Sequence, residues 1–235
     1  MKKNQVKNKI IVLGDTHGRN KWEQIVKQSF DKVIFLGDYF DSFDIPFQDQ
    51  WENFMDILEF KKENPDKVIL LLGNHDYHYL CDIEEHYSGY HYENKNQIAA
   101  CLNSELEDNN IQICYSHEDW IFSHAGITTT WAINNNIDFD NLEKSINELF
   151  KTDKQAFKFT EGVNYSNYGD DITQSPIWVR PRSLGQDKID GVKQVVGHTH
   201  QEHIQNYDDM FFIDTLEYGN EYLIINNGKP EIGEI

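Results

Sequence analysis

Five short segments place Asp, Asn or His beside glycine: Gly14-Asp15-Thr16-His17-Gly18, Gly37-Asp38-Tyr39-Phe40-Asp41, Gly73-Asn74-His75-Asp76, Ser123-His124-Ala125-Gly126 and Gly197-His198-Thr199-His200. Together they describe a metal site. Asp15 and His17 are two residues apart, so both can point to one side of an extended segment. A carboxylate with an imidazole suits Mn, Fe or Zn better than Ca, which prefers oxygen ligands alone. Asp38 can bridge two ions through its two oxygens. Asn74 offers a neutral amide oxygen, while His124 and His198 offer imidazoles. His200 is again two residues from its partner, so His198 and His200 can serve two ions separately.

Three of these segments end apolar runs, Lys9 to Leu13, Lys32 to Leu36 and Lys67 to Leu72. Such runs read as strands buried on both faces. Between them, Trp22 to Phe30 and Gln50 to Lys62 carry helical spacing, and Asn64-Pro65-Asp66 breaks the second. The first third therefore predicts β-α-β-α-β, with metal-competent residues at one end of every strand. Crossover helices make such strands parallel and bring those ends together, where open α/β sheets hold their ligands. Later, Asn96 to Leu106 and Asn141 to Phe150 read as helices. Ile111 to Tyr115, Trp120 to Phe122, Gln194 to Val196, Phe211 to Ile213 and Glu221 to Ile225 read as strands of a second sheet. Residues 152–190 are polar and aromatic with weak periodicity, which predicts a cap over the site within a single domain, 1–235.

The motif order resembles the calcineurin-like metallophosphoesterase superfamily: Asp-x-His, Gly-Asp-x-x-Asp, Gly-Asn-His-Asp/Glu, a lone His, then Gly-His-x-His. The match runs from Asp15 to His200 and every ligand position is filled. The resemblance implies an α/β fold of two packed mixed sheets flanked by helices in four layers, αββα. It implies two divalent ions, with Mn favoured and Fe, Zn or Ni as alternatives. It puts Asp15, His17, Asp38 and His200 on one ion, and Asp38, Asn74, His124 and His198 on the other. His75 falls at the family's catalytic histidine and Asp41 at its carboxylate partner. Two ions roughly 3.5–4 Å apart clamp a phosphoryl oxygen and make hydroxide from water at neutral pH. An imidazole suits the leaving-group acid because its pKa lies near working pH.

The stretch Ser175-Pro176-Ile177-Trp178-Val179-Arg180-Pro181-Arg182 resembles a Pro-x-x-Trp-x-Arg segment of the phosphoprotein-phosphatase and diadenosine-tetraphosphatase branch. It marks Arg180 and Arg182 as phosphate-clamp residues, since guanidinium engages phosphate in bidentate fashion. Arg19 reads as a surface residue at a helix start. That branch continues its second motif with Arg-Gly, whereas Ser42-Phe43 follow Asp41 here. Its last motif often lacks the second histidine, present here as His200. The resemblance thus implies a phosphatase like the Ser/Thr protein phosphatases, with a dinucleoside polyphosphate hydrolase or phosphodiesterase as alternatives. A non-catalytic metal-bound scaffold would need no leaving-group acid, and His75 argues against it.

The formal net charge of −19 over 235 residues argues against general nucleic-acid binding or adsorption to anionic membranes. Phosphorylated partners remain: a phosphoprotein, a nucleotide or a small phosphoester. The three cysteines, Cys81, Cys101 and Cys114, show no paired spacing and read as reduced thiols of a cytoplasmic protein. His78, His86, His91, His117 and His203 read as surface or satisfied polar groups, because the ligand set is complete without them. Tyr77, Tyr79, Tyr87, Tyr90 and Tyr92 read as packing of a loop against the sheet, with stacking on a nucleobase as the alternative.

Overall fold

A computed structural model describes residues 8–160 and 170–235. Strands β1 (Lys9–Leu13), β2 (Lys32–Phe35), β3 (Val68–Leu71) and β4 (Ile111–Gln112) lie parallel and in that order. Helices α1 (Trp22–Ile25) and α2 (Phe47–Glu63) occupy the first two crossovers, and α3 (Asn74–Tyr77) and α4 (Lys95–Glu107) the third. The expected β-α-β-α-β unit is present, although the first helix is a single turn that gives way to irregular chain before Phe30. A second sheet has the order β5 (Cys114–His117), β6 (Trp120–Ser123), β7 (Lys193–Val196), β9 (Met210–Phe212), β8 (Gln205–Tyr207). Within it β6, β7 and β9 are mutually parallel.

Alternation along the strands builds the layers. Ile10, Val12, Ile34, Leu36 and Leu71 of the first sheet meet Trp120, Phe122, Val195 and Phe211 of the second in one buried cluster. Ile11, Leu13, Val33, Phe35, Val68 and Leu70 point the opposite way, onto Trp22, Phe54, Ile57 and Leu102 of the helices. On the outer face of the second sheet, Val196, Met210 and Phe212 pack against Leu184 of α7 (Pro181–Gln186). Each fully buried aliphatic or phenyl side chain contributes about 1.5–3 kcal/mol, so faces this apolar bind the four αββα layers together.

Two readings of the strands change. The run Ile111 to Tyr115 is not one strand: β4 closes the first sheet, and β5 opens the second after a break at Ile113. Asn147 of α6 (Leu142–Thr152) stabilises this switch, its Oδ1 accepting from Ile113 N and Cys114 N and its Nδ2 donating to the Cys114 carbonyl. The last strands, β10 (Glu221–Asn226) and β11 (Lys229–Glu234), return to the first sheet, where β10 pairs antiparallel with β1. In the expected cap, residues 154–157 form a 3-10 turn and 181–186 form α7. Its middle, 161–169, lies outside the described residues. Among the described residues no helix is long and apolar enough to cross a membrane.

Candidate metal centre

The C-terminal ends of β1, β2, β3, β6, β7 and β9 all open onto one place. The two sheets are stitched there: His124 Nδ1 reaches the Leu36 carbonyl at 2.9 Å, and His198 N donates to Asp15 Oδ1 at 3.0 Å. Glycine makes this approach possible. A Cβ on Gly197 would stand 2.1 Å from Asp15 Oδ1, and one on Gly73 would stand 2.0 Å from Asp38 Oδ1. His17, Asp38, Asp41 and His198 all hold left-handed φ angles, 42°, 53°, 69° and 63°. Non-glycine residues adopt that region at a cost, and such positions cluster where side chains must be aimed.

Among the described residues, Asp15, Asp38 and His124 offer ligand atoms within 4.8 Å of one another, and all three are buried. Around them His17 Nε2 lies 3.8 Å from Asp38 Oδ2, and Asn74 Oδ1 lies 3.0 Å from His124 Nε2 and 2.8 Å from His198 Nδ1. The far nitrogens of the three imidazoles are already occupied. His17 Nδ1 donates to the Phe40 carbonyl at 2.5 Å, His124 Nδ1 to Leu36, and His198 Nε2 to the Trp178 carbonyl at 3.1 Å. A carbonyl only accepts, so each of these nitrogens carries the ring proton. The nitrogens facing inward therefore present lone pairs; those of His17 and His124 meet the Asp38 carboxylate, which is also an acceptor, while the Asn74 amide can turn either its oxygen or its nitrogen to His124 and His198. Acceptors facing acceptors in a buried site are repulsive without a cation between them. Main-chain carbonyls behind metal-binding imidazoles are also the usual outer support of a metal site. The donor set fits divalent transition metals.

The ionisation pattern agrees. Burial lowers His17, and burial with the Arg180 charge holds His198 well below its ordinary value, so both rings are neutral. Burial and the charges of Asp214 and Asp38 hold Asp15 well above the carboxylate range. Burial would raise Asp38 too, but positive charge on the imidazoles facing it, His124 first, would hold it well below; where those rings are neutral, that charge falls to a bound cation. Burial and Asp38 push Asp214 up to about 7. This concentration of buried carboxylates calls for positive charge.

Beside the metal group, His75 Nδ1 lies 2.8 Å from Asp41 Oδ2, and the His75 ring stands edge-on to His17 with centroids 5.4 Å apart. Burial alone would lower His75, yet Asp38 and its bond to Asp41 raise it. Arg180 is half-buried at the start of α7 and donates to the His198 carbonyl and to Thr199 Oγ1. Burial lowers its pKa from the ordinary value, against the pull of Asp15, Asp38 and Asp214, and a guanidinium keeps its charge. The sequence-predicted residues thus gather, with two standing apart. His200 is exposed and lies edge-on to Tyr218, while the Arg182 side chain is 78% exposed and 4.0 Å from Asp170. Arg19 departs from its surface reading: its side chain is largely covered and bridges Asp44 and Glu217, joining the loops after Asp41 and after β9.

Three residues with a place here were not read from the sequence. Asp76 accepts from Gly73 N, Asp38 N and Tyr39 N at 2.8–3.0 Å, so it sets the backbone that carries Asp38. Its signal was the acidic end of the Gly-Asn-His-Asp motif. Asp214 had one as well, since the apolar run Phe211 to Ile213 ends in Asp as β1 and β2 end in Gly-Asp. His78 is buried with Nε2 2.7 Å from Asp41 Oδ2, and it lies one helical turn beyond His75. Close packing at Gly197 gives a first test. Gly197→Ala must displace the Asp15 carboxylate, so it is expected to lower bound metal measured by elemental analysis and to cost about 1–3 kcal/mol in urea unfolding.

The family model for calcineurin-like phosphoesterases matches residues 8–202. The fold and site define a metal-dependent phosphoesterase, and the chain belongs to the calcineurin-like phosphoesterase family. It is similar to the cold-active protein-tyrosine phosphatase of a psychrophilic Shewanella species, with a TM-score of 0.63 and 19% identity over 97% of this chain and 78% of that one. It is also similar to a protein serine/threonine phosphatase from Saccharomyces cerevisiae, with a TM-score of 0.60 and 12% identity over 97% and 80% of the two chains. At these identities the likeness is one of fold. No curated protein matches the chain.

Proposed function

We propose that the protein is a two-metal phosphomonoesterase resembling the Ser/Thr protein phosphatases. In this reading Asp15, His17, Asp38 and His200 hold one ion, and Asp38, Asn74, His124 and His198 the other, with manganese as the working metal. His200, exposed beside Tyr218, enters the set on its motif alone. The observation that carries the reading is the buried convergence of imidazole lone pairs on the Asp38 carboxylate, with Asn74 beside them and each imidazole backed by a main-chain carbonyl. Two such ions, when bound, supply an activated water and neutralise charge on the phosphoryl group.

The chain's own groups complete the chemistry. With Nδ1–H held by Asp41, His75 has Nε2 to carry a proton to the leaving oxygen. Arg180, fixed by the His198 carbonyl and Thr199, can stabilise the equatorial oxygens as their charge spreads. In this reading Arg180 is the clamp, and Arg182, exposed beside Asp170, is left outside it. Trp178, Tyr87 and Phe159 form an aromatic wall, with Trp178 against His198 and Tyr87 against His75, which would shape what leaving group enters.

The test is a screen of Mn²⁺-loaded protein on p-nitrophenyl phosphate, its bis-ester, phosphopeptides, mononucleotides, diadenosine tetraphosphate and cyclic nucleotides. Monoesters are expected to turn over fastest. A diester or diadenosine tetraphosphate as best substrate would replace the monoesterase reading, and no turnover with both metals bound would remove the enzyme reading. Arg180→Ala is expected to lower kcat/KM by roughly 10- to 100-fold, the loss of a charge-assisted hydrogen bond worth about 1.5–3 kcal/mol, with Arg182→Ala close to the parent.

A further inference from the structure

We propose that His78 and Tyr79 are positioning residues for the leaving-group acid, fixing Asp41 in the one orientation that aims His75. The proposal rests on the reading of His75 as that acid. Asp41 is buried; His75 and Tyr79 hydrogen-bond to it, and His78 Nε2 stands against it away from the hydrogen-bond axis. His75 and His78 both approach Oδ2, at 2.8 and 2.7 Å, and the Tyr79 hydroxyl donates to Oδ1 at 2.5 Å.

The proton positions follow from the outer partners. Tyr87 N donates to His78 Nδ1 at 3.0 Å, so that nitrogen is unprotonated and the ring proton lies on Nε2, facing Asp41. His91 N donates to the Tyr79 oxygen at 2.8 Å, which leaves the hydroxyl proton free to point at Asp41. Both protons are therefore set by main-chain amides of one segment, Tyr87 to His91. That segment lies directly on Asp41: a Cβ on Gly89, where φ is +85°, would stand 2.7 Å from the Asp41 carbonyl oxygen. With both carboxylate oxygens engaged, Asp41 cannot turn away from His75. His75 Nδ1–H is then held, and its Nε2 stays directed to the leaving group.

Asp41, His75 and His78 are also close enough together to suggest a metal ion. The proton positions argue against one, since Tyr87 N holds His78 Nδ1 and leaves the ring proton, not a lone pair, on the nitrogen facing Asp41.

A positioning role has a signature that a merely structural role lacks. Protonation matters little when p-nitrophenolate leaves and much when a basic alkoxide or phenoxide leaves. Rates of the Mn²⁺-loaded protein should therefore be measured on phenyl phosphates of increasing leaving-group pKa. For Tyr79→Phe and His78→Leu, kcat is expected to fall about tenfold on the least activated ester and only two- to threefold on p-nitrophenyl phosphate, part of the ~10²–10⁴-fold that general acids supply. KM and bound metal should hold. His78→Gln keeps an N–H near the position of Nε2 and should restore most of the loss. Tyr79→Phe removes one oxygen only, so it reports even where His78→Leu fails to fold. Equal losses across the series, or none, would overturn the proposal. If His75→Asn itself leaves the leaving-group dependence unaltered, the reading of His75 falls, and this inference falls with it.

Discussion

His75→Asn is expected to lower kcat on poorly activated phosphate monoesters by about 10²–10⁴-fold, or roughly 3–5 kcal/mol of transition-state stabilisation, while bound metal stays unchanged. His75 points Nδ1 at Asp41 and lies beside the acceptor group of Asp38, Asn74, His124 and His198 without being part of it. Asparagine can place an amide N–H near the position of Nδ1, so Asp41 keeps a partner, but nothing reaches as far as Nε2. The drop should be in kcat rather than KM, because the lost interaction forms as the leaving oxygen gains charge. Elemental analysis and steady-state kinetics on the same preparation separate the two effects. Loss of metal in parallel with activity would instead make His75 a ligand, and a fall of only a few-fold would take the acid role from it.

Much of this site was legible because its ligands sit where strands stop. Lys9 to Leu13 and Lys32 to Leu36 are apolar on both faces, so Gly-Asp after each can only be the end of a buried strand. The parallel order of β1, β2 and β3 follows from the helices between them. The pairing of β10 with β1 was not legible, since Glu221 to Ile225 alternates equally well on either sheet and the choice is made by contacts between Lys9–Val12 and Leu223–Asn226, at opposite ends of the chain. The break between β4 and β5 was hidden for a similar reason. Asn147 pays for the lost ladder at Ile113 from a helix that sequence alone cannot place.

Within the site, residues that would touch a metal announce themselves by type beside glycine, whereas residues that aim them do not. Asp76 works through three main-chain amides, and any acceptor at the start of a helix would read alike. His78 reads as a satisfied polar group, but only its Nδ1 is hydrogen-bonded, and its buried Nε2 faces a carboxylate. Its meaning lies in the partner, Asp41, found 37 residues earlier. Arg19 looked like a surface cation because its partners, Asp44 and Glu217, come from loops that only the fold brings together. Types in a pattern disclose the chemistry; the supporting hydrogen bonds require the coordinates.

Removal of metal by chelation is expected to abolish turnover and to change how stability responds to pH. Asp15 is held above the ordinary range by burial and by Asp214 and Asp38, and Asp214 is pushed up to about 7 by burial and Asp38. Unfolded carboxyls titrate near 4. Between that value and the folded pKa, the metal-free native state binds more protons than the unfolded chain, so these two groups make stability fall as pH rises. Asp38 and Asp41 are held below the ordinary range and stay ionised on both sides of the comparison. Divalent ions bind the deprotonated carboxylates, so their contribution grows with pH over the window where metal-free protein weakens. At 100 times its dissociation constant, one ion adds about 2.7 kcal/mol, or roughly 5–10 °C in Tm for a chain of this size. The rise in Tm on adding Mn²⁺ to chelated protein should therefore be larger at pH 8 than at pH 5.5. Differential scanning calorimetry at both values decides it: an equal or larger rise at pH 5.5 would mean that the buried carboxylates are not where the cations act.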